Sequence, residues 1–270
     1  MNTESVNQNT KGISKASTEE MLRMINNEDK TVADVVAGCI PQISKLVDVA
    51  HKTLFEGGRI FYVGCGTSGR IAVADAAELP PTYGLDPERV VAIIAGGVGA
   101  MIRASEGCED SRERALEAFK ESGCKAGDLV IGISASGQAP FVVAFMEEAK
   151  KLGCPVGCIT NNENTVMEKC ADITVAALTG AEVIKGSTRM KAGSSQKMIL
   201  NMFSTAVCIK LGYVYQNFMV NMTVSNSKLE KRAITMVSTI TGLDEEASIK
   251  ALKEHDWSVY EAVKANDLSE

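Results

Sequence analysis

The sequence predicts an α/β fold with a doubly wound, five-stranded parallel sheet. Five short apolar runs alternate along the chain with stretches whose apolar residues have helical spacing. Continuous apolar runs are typical of strands buried on both faces, and their alternation with helices is typical of a parallel sheet. The runs lie at 60–63, 90–95, 129–133, 156–159 and 173–177.

Helical segments flank this strand region. Residues 18–56 have apolar positions at helical spacing with a break near 27–29, which predicts two helices before the first strand. Residues 191–211 suit one long, mostly buried helix. Three short amphipathic segments then predict a small helical bundle, at 228–240, 244–253 and 257–264.

These segments divide the chain into three predicted parts. Residues 1–17 are polar and are expected to be flexible. Residues 18–225 are expected to form the main α/β domain with its N-terminal helices, and residues 226–270 a small C-terminal helical domain. A chain of 270 residues with 45% hydrophobic content can bury one large core with an addition of this size.

The composition argues against several classes of function. A net charge of −6 without any block of five like charges is unfavourable for nucleic-acid binding. Eight scattered cysteines and two histidines form no metal-ligand pattern, so no metal is expected. The N-terminus lacks the apolar core of a signal peptide, and no run of 18 apolar residues follows, so no membrane association is expected. Together with free thiols, this predicts a cytoplasmic protein.

The most informative segment is Gly64-Cys-Gly-Thr-Ser-Gly-Arg70, directly after the first apolar run. It predicts a strand that leads through a turn into a helix, where unpaired N–H groups bind anions. The segment lacks the Gly-Lys-Ser/Thr of a nucleotide-binding loop, and no acidic residue ends a second strand about 20 residues further on, as a dinucleotide site requires. A phosphate group held by hydroxyls is the predicted ligand.

A second turn has the same chemistry and follows the third apolar run. Ligands of open α/β sheets bind beyond the carboxyl ends of the strands, so we expect the two turns to meet in one crevice. Capping of helix ends is the alternative role for such residues. The candidate phosphate-binding residues are Thr67, Ser68 and Gly69 in the first turn and Ser134, Ser136 and Gly137 in the second.

Two glutamates are candidates for proton transfer. Glu78 precedes a pair of prolines, which are expected to end the helix that begins at Ser68. Its carboxylate would then face the negative end of the helix dipole, which raises a pKa and suits a proton donor. Glu109 lies with Glu106 and Asp110 in a loop beyond the second strand. An exposed helix end and a solvated acidic loop are the alternative interpretations.

An ordered set of motifs between about residues 25 and 265 resembles one family. The motifs are Gly64-x-Gly-Thr-Ser-Gly-Arg70, Glu78-x-Pro-Pro-Thr-Tyr-Gly84, Ile94-Ala-Gly-Gly97, Glu106-Gly-x-Glu-Asp110, Ser134-Ala-Ser-Gly137, Gly186-Ser-Thr-Arg-Met-Lys-Ala-Gly193 and Asn201-Met. Together they are similar to the N-acetylmuramic acid 6-phosphate etherases, which are built on a sugar isomerase (SIS) domain.

This resemblance implies a reaction in bacterial cell-wall recycling. N-acetylmuramic acid 6-phosphate and water would give N-acetylglucosamine 6-phosphate and D-lactate by elimination and then hydration, without a cofactor or metal. By motif position, Glu109 would remove the C2 proton and Glu78 would protonate the departing lactyl oxygen. Ser187, Thr188 and Lys191 would lie near the substrate. A homodimer that completes the site is expected, with a C-terminal bundle similar to a ubiquitin-associated domain.

The chain also departs from the family pattern. Gln138 and Ala139 stand where the family commonly has arginine and threonine, and Ala77 and Leu79 stand beside Glu78 where it has serine and cysteine. The chain ends at Glu270, before the usual end of the family, so we expect a shortened C-terminal bundle. A non-catalytic sugar-phosphate sensor and a sugar-phosphate isomerase are the alternative functions, because the fold alone does not define the chemistry.

Overall fold

The computed structural model describes residues 2–105, 107–224 and 226–266. Its central feature is a five-stranded, all-parallel sheet in the order β2-β1-β3-β4-β5, which confirms the predicted α/β class and all five strands. The strands are β1 (Ile60–Gly64), β2 (Val90–Ile94), β3 (Leu129–Ser134), β4 (Val156–Thr160) and β5 (Ile173–Ala176).

Helices surround the sheet and continue to the C-terminal part of the chain. Within the described ranges they are α1 (Thr18–Asp29), α2 (Thr31–Gly38), α3 (Ile40–Phe55), α4 (Gly66–Tyr83), α5 (Gly99–Ile102), α6 (Arg112–Ser122), α7 (Pro140–Lys151), α8 (Val166–Cys170), α9 (Lys191–Lys210), α10 (Ser227–Thr241), α11 (Glu245–Glu254) and α12 (Val259–Asn266). A short hairpin, β6 (Val214–Tyr215) and β7 (Phe218–Met219), follows α9.

The segment before β1 differs from the prediction in two ways. Three α-helices precede the strand instead of two, because the chain turns again at Cys39 and Pro41 then starts α3. Residues 1–17 were expected to be flexible, but residues 2–15 form three short 3₁₀ turns. Thr3 and Thr10 are buried in this segment, which packs against the rest of the domain through side-chain hydrogen bonds.

Two glycines let helices approach the faces of the sheet closely. A Cβ atom at Gly132 would lie 2.3 Å from Met146 Sδ on α7, and one at Gly157 would lie 2.7 Å from Leu46 Cδ1 on α3. Both contacts are shorter than van der Waals distance, so a larger residue would push these helices off the sheet. Helices therefore cover the sheet on two sides, as buried parallel strands require.

Helix α4 continues through Pro80 and Pro81 to Tyr83, so the expectation that the prolines end it was wrong. A proline removes an N–H donor, but its fixed φ is compatible with helical geometry, and these two lie near the helix end. Gly84, with φ +62°, ends the helix and donates its N–H to the carbonyl of Pro80 at 2.9 Å. Glu78 consequently lies more than one turn before the end of α4.

The chain forms two compact units. The first contains residues 1–77 and 88–204, and the second contains residues 78–87 and 205–270. The second unit has its own apolar core, in which Val237, Leu252 and Val259 are fully buried. The predicted domain boundary between residues 225 and 226 thus falls inside the second unit, which already includes residues 205–225. No helix in the described part combines the length and hydropathy needed to cross a membrane.

A buried carboxylate joins three elements of the first unit. Asp75 on α4 accepts hydrogen bonds from Tyr62 Oη on β1 and from Ser204 Oγ on α9, each at 3.2 Å. Lys197 Nζ lies 3.9 Å away. Burial raises the pKa of Asp75 to about 6, although the charge of Lys197 and the two hydrogen bonds act in the opposite direction.

This raised pKa makes stability dependent on pH. The folded protein retains the Asp75 proton to about pH 6, whereas the unfolded chain releases it near pH 4, so stability falls as the pH rises between these values. In the wild-type protein the free energy of unfolding should fall by about 3 kcal/mol between pH 4 and pH 7 because of Asp75. We expect Asp75→Asn to abolish this fall. Urea unfolding at both pH values measures it, with exposed Asp34→Asn as the control. An unchanged difference between the two pH values would contradict the assignment.

Candidate active site

The two predicted phosphate turns lie at the ends of neighbouring strands. Strand β1 pairs with β3 in parallel register, with Gly64 opposite Ile133, so the turns after both strands leave the same edge of the sheet. Chain connections from β1 and β3 run in opposite directions along the sheet order, which makes this the switch point where open α/β folds bind ligands. Both turns therefore lie at this edge of the sheet.

Close packing of glycines shapes the first turn. Helix α4 begins at Gly66 instead of Ser68, so Thr67 and Ser68 lie in its first turn, where N–H groups lack helical acceptors. A Cβ atom at Gly69 would lie 2.8 Å from the carbonyl oxygen of Gly64. The backbones of β1 and α4 are therefore in direct contact here. The N-terminus of α4 lies at the carboxyl edge of the sheet, where its N–H groups can bind an anion.

In the second turn the hydroxyls brace the backbone. Ser134 Oγ accepts the N–H of Gly137 and lies 3.2 Å from Ser136 Oγ, which accepts the N–H of Gln138. The capping role weighed from the sequence is therefore present here. In the pair of hydroxyls one donates its proton to the other, and the second keeps its proton as a donor, so bracing the turn and binding an anion are compatible.

The third turn lies against the first. A Cβ atom at Gly193 would lie 3.3 Å from Thr67 Cγ2 and 3.5 Å from the carbonyl oxygen of Thr188, which accepts the N–H of Gly193. Ser187 and Thr188 are half-buried beside the start of α9. Thr67 and the Gly186–Gly193 motif are therefore neighbours in the structure.

Lys191 has a different environment from the predicted one. Its Nζ pairs with Glu28 at 2.6 Å, and both side chains are more than nine-tenths buried. Burial raises the pKa of Glu28, but hydrogen bonds from Lys191, Asn9 and Asn7 outweigh it and lower this pKa. The carboxylate of Glu182 accepts the backbone N–H of Lys191 at 2.9 Å. Because its charge is already paired and buried, we leave Lys191 out of the proposed substrate contacts.

Glu109 lies beside a cavity at the crevice. Its carbonyl accepts the N–H of Phe141, the second residue of α7, at 3.0 Å, which fixes the loop next to the second turn. Burial, and then the charge of Asp110, raise the pKa of Glu109, although part of the side chain is solvent-exposed. The cavity of about 310 Å³ is lined by Cys65, Gly66, Arg70, Ala95, Ala100, Ala104, Ser105, Gly107, Glu109 and Asp110.

The second predicted catalytic glutamate is on a different part of the chain. Glu78 is exposed on α4 and belongs to the second compact unit, whereas Glu109 and the three turns belong to the first. Glu106, the other acidic residue of the loop motif, lies outside the described residues. Thr67 lies in the turn after β1, Ser134 is the last residue of β3, and Glu109 lines the cavity.

Asn162 is a site residue that the sequence analysis missed. It follows β4, is buried, and donates its side-chain amide to the carbonyl of Ala135 in the second turn at 2.8 Å. The preceding Asn161 is fully buried and also donates its backbone N–H to Ala135. A pair of asparagines directly after a buried strand is a polar signal at the carboxyl edge, and that position in the sequence could have identified them.

The five-stranded parallel sheet, with hydroxyl-rich turns after β1 and β3, defines an SIS-type protein. The SIS domain pattern matches residues 114–206, the N-terminal SIS domain of glucokinase regulatory protein matches residues 39–150, and the C-terminal lid domain of that protein matches residues 216–268. A Bacteroides fragilis structure titled as a phosphosugar isomerase involved in capsule formation has the same fold (TM-score 0.57, 17% identity, 77% of this chain and 98% of that one).

Curated relatives identify the family within this class. The N-acetylmuramic acid 6-phosphate etherase of Symbiobacterium thermophilum is 50% identical over 94% of this chain and 84% of its own length. Etherase 1 of Bacillus licheniformis is 47% identical over 97% of this chain and 86% of its own length. The chain belongs to the N-acetylmuramic acid 6-phosphate etherase family.

The contact between Gly64 and Gly69 can be tested by adding one methyl group. Gly69→Ala would push α4 away from β1, because the new Cβ atom would meet backbone atoms and Ile94 Cγ1 at 2.6 Å. We expect a loss of about 1–3 kcal/mol in the free energy of unfolding. Gly38→Ala, in a helix with open space around the new atom, is the control and should cost nothing. Equal stabilities in urea unfolding would contradict the close approach.

Proposed function

We propose that this chain cleaves the D-lactyl ether of N-acetylmuramic acid 6-phosphate, giving N-acetylglucosamine 6-phosphate and D-lactate. The observation that carries the proposal is the 50% identity, over 94% of the chain, to an etherase of that name. The site supports it, because Glu109, whose pKa is raised, lines a cavity that reaches the first turn at Cys65 and Gly66, and its carbonyl is bonded to α7, which follows the second turn. This is the arrangement that proton abstraction from a phosphorylated sugar requires.

The sugar phosphate binds through its phosphate at the crevice edge in this proposal. Thr67, Ser68 and Gly69 offer the N-terminus of α4, and Ser134 and Ser136 offer hydroxyl donors from the neighbouring strand end. Gly137 has φ +66° and a Cβ atom there would meet Thr165 Cγ2 at 2.5 Å, so glycine lets the second turn close. Ser187 and Thr188 contribute from the third turn.

Glu109 is the proposed base for the C2 proton. Ring opening exposes an aldehyde that acidifies this proton, and the raised pKa of Glu109 makes its carboxylate a stronger base than an ordinary glutamate. The elimination breaks the C2–H and C3–O bonds and forms the C2–C3 double bond. Water then adds across that bond, with its oxygen at C3 and a proton returned to C2.

Glu78 is the proposed acid for the departing lactyl oxygen. In its acid form it donates a proton to that oxygen as the C3–O bond breaks, and the resulting carboxylate then activates the incoming water. Two carboxyl groups that begin in opposite protonation states can serve both halves of the reaction without a cofactor.

A homodimer and a cytoplasmic location complete the proposal. Val98 and Ile102, beside the cavity loop, are 84% and 86% exposed, and a second copy of the chain would cover them. All eight cysteines are free and most are buried, which agrees with a reducing compartment. The homodimer is testable by light scattering.

Lactate release tests the function directly. The purified chain is incubated with N-acetylmuramic acid 6-phosphate in EDTA, and D-lactate is measured enzymatically. The proposal requires stoichiometric lactate and N-acetylglucosamine 6-phosphate. Saturable binding of the sugar phosphate without lactate would instead indicate a sensor, and a ketose product would indicate an isomerase.

The two glutamates are separable by isotope exchange. Glu109→Gln should abolish exchange of the C2 proton in deuterated water and reduce lactate release by about 10²–10⁴-fold, because the base is lost. Glu78→Gln should block lactate release and leave part of that exchange. Nuclear magnetic resonance of the sugar follows both signals. If the two variants lost both signals equally, the division of roles would be wrong.

Asp110 offers a test of the base through the pH profile. The acid limb of kcat/KM should follow ionisation of Glu109, so activity falls as the pH drops through its raised pKa. Asp110→Asn removes one cause of that raised pKa and should move the limb to lower pH. Glu113→Gln, a fully exposed carboxylate on α6, is the matched control and should leave it in place. A limb that stays fixed in Asp110→Asn would rule against Glu109 as the titrating group.

A further inference from the structure

The first residues of the chain are attached to the loops that form the crevice. Thr3 is 1% exposed, and its backbone N–H and hydroxyl oxygen pair with the side-chain amide of Asn162 at 3.4 and 3.0 Å. The same amide of Asn162 donates to the carbonyl of Ala135 at 2.8 Å. A continuous chain of hydrogen bonds therefore leads from Thr3 to the turn at 134–137.

Holding the carbonyl of Ala135 fixes the direction of a neighbouring donor. In a planar trans peptide the C=O and the following N–H point in opposite directions. With its oxygen bound by Asn161 and Asn162, the peptide after Ala135 directs the N–H of Ser136 away from these asparagines. The orientation of a proposed phosphate donor thus depends on a pairing that Thr3 completes.

The next residues of the segment hold the third turn. Asn7 donates to Glu28 Oε2 at 2.8 Å and to the carbonyl of Ala181 at 3.2 Å. Thr10, which is 4% exposed, donates to the carbonyl of Val183 at 2.8 Å. These carbonyls belong to the loop that leads to Ser187 and Thr188, and their partners come from residues more than 170 positions earlier in the chain.

Two further contacts connect the segment with the same loop. Glu28, which Asn7 and Asn9 bind, forms the buried ion pair with Lys191 at the start of α9. A carboxylate oxygen of Glu4 lies 3.2 Å from the position that a Cβ atom would occupy at Gly186. Residues 2–10, called the N-terminal strap below, therefore contact the loop at 181–186 directly. They connect to the turn at 134–137 through Asn162 and to the start of α9 through Glu28.

We propose that the N-terminal strap is a positioning element of the active site, with Thr3 and Asn7 as positioning residues for the turns at 134–137 and 186–188. It acts through Asn162 and through the loop carbonyls and touches no reacting atom. Its loss would leave the proton-transfer residues in place and loosen the groups that hold the phosphate. This inference rests on the proposed function for its catalytic readout but not for its structural one.

Steady-state kinetics give the first test. Thr3→Val keeps the volume of the side chain and removes its hydroxyl, and we expect KM for N-acetylmuramic acid 6-phosphate to rise about 2–10-fold, the equivalent of one lost hydrogen bond, with a smaller change in kcat. Asn7→Ala should act in the same direction. Thr3→Ser keeps the hydroxyl and should restore KM, and exposed Gln8→Ala is the control within the strap.

Hydrogen exchange separates this inference from the proposed function. Thr3→Val should speed amide exchange at residues 136–138, and Asn7→Ala at residues 184–188, whether or not the chain releases lactate. Calorimetry with N-acetylglucosamine 6-phosphate should show a matching loss of affinity. Unchanged exchange and unchanged affinity, or a lower melting temperature with KM unaltered, would overturn the positioning role. Faster exchange in a chain without lactate release would retain the strap and reject only the etherase.

Discussion

The parallel pairing of β1 with β3 is the constraint on which the site depends. Because Gly64 lies opposite Ile133, the turns that follow both strands leave the sheet at one edge and one level. The chain connections from β1 and β3 lead away from each other at this point, toward β2 and toward β4. The glycine contact between β1 and α4 then places the first turn of that helix against the edge.

Buried polar groups hold the elements around this edge in fixed positions. Asp75 joins α4 to β1 and α9, and the pair of Glu28 with Lys191 joins α1 to the start of α9. Buried charges are costly unless they are paired, and breaking a buried pair typically costs about 3–5 kcal/mol. The Asp75 hydrogen bonds and the Glu28–Lys191 pair therefore allow few alternative arrangements of α4 and α9. The turns at the starts of these two helices are held in place as a result.

The loop that carries the proposed base, Glu109, is held in a different way. Glu109 is fixed through its backbone, by the bond from Phe141 to its carbonyl, while its side chain lies partly in solvent beside the cavity. The raised pKa comes first from burial and then from the neighbouring Asp110. A base that is positioned by the main chain and tuned by its surroundings can lose its side-chain function without loss of the loop, which makes its substitution informative.

Much of the fold could be predicted from local sequence. The contacts that hold the proposed site in place could not. Continuous apolar runs determined the five strands, and the order of the glycine, serine and threonine motifs determined which turns would form the crevice and which family the chain belongs to. The burial of Lys191, the passage of α4 through its two prolines and the packing of residues 2–15 were decided by tertiary structure. The physical reason is range. Strand burial and turn chemistry are encoded within a few residues, whereas the partners of Thr3 and Lys191 lie about 160 positions away and are brought to them by the fold.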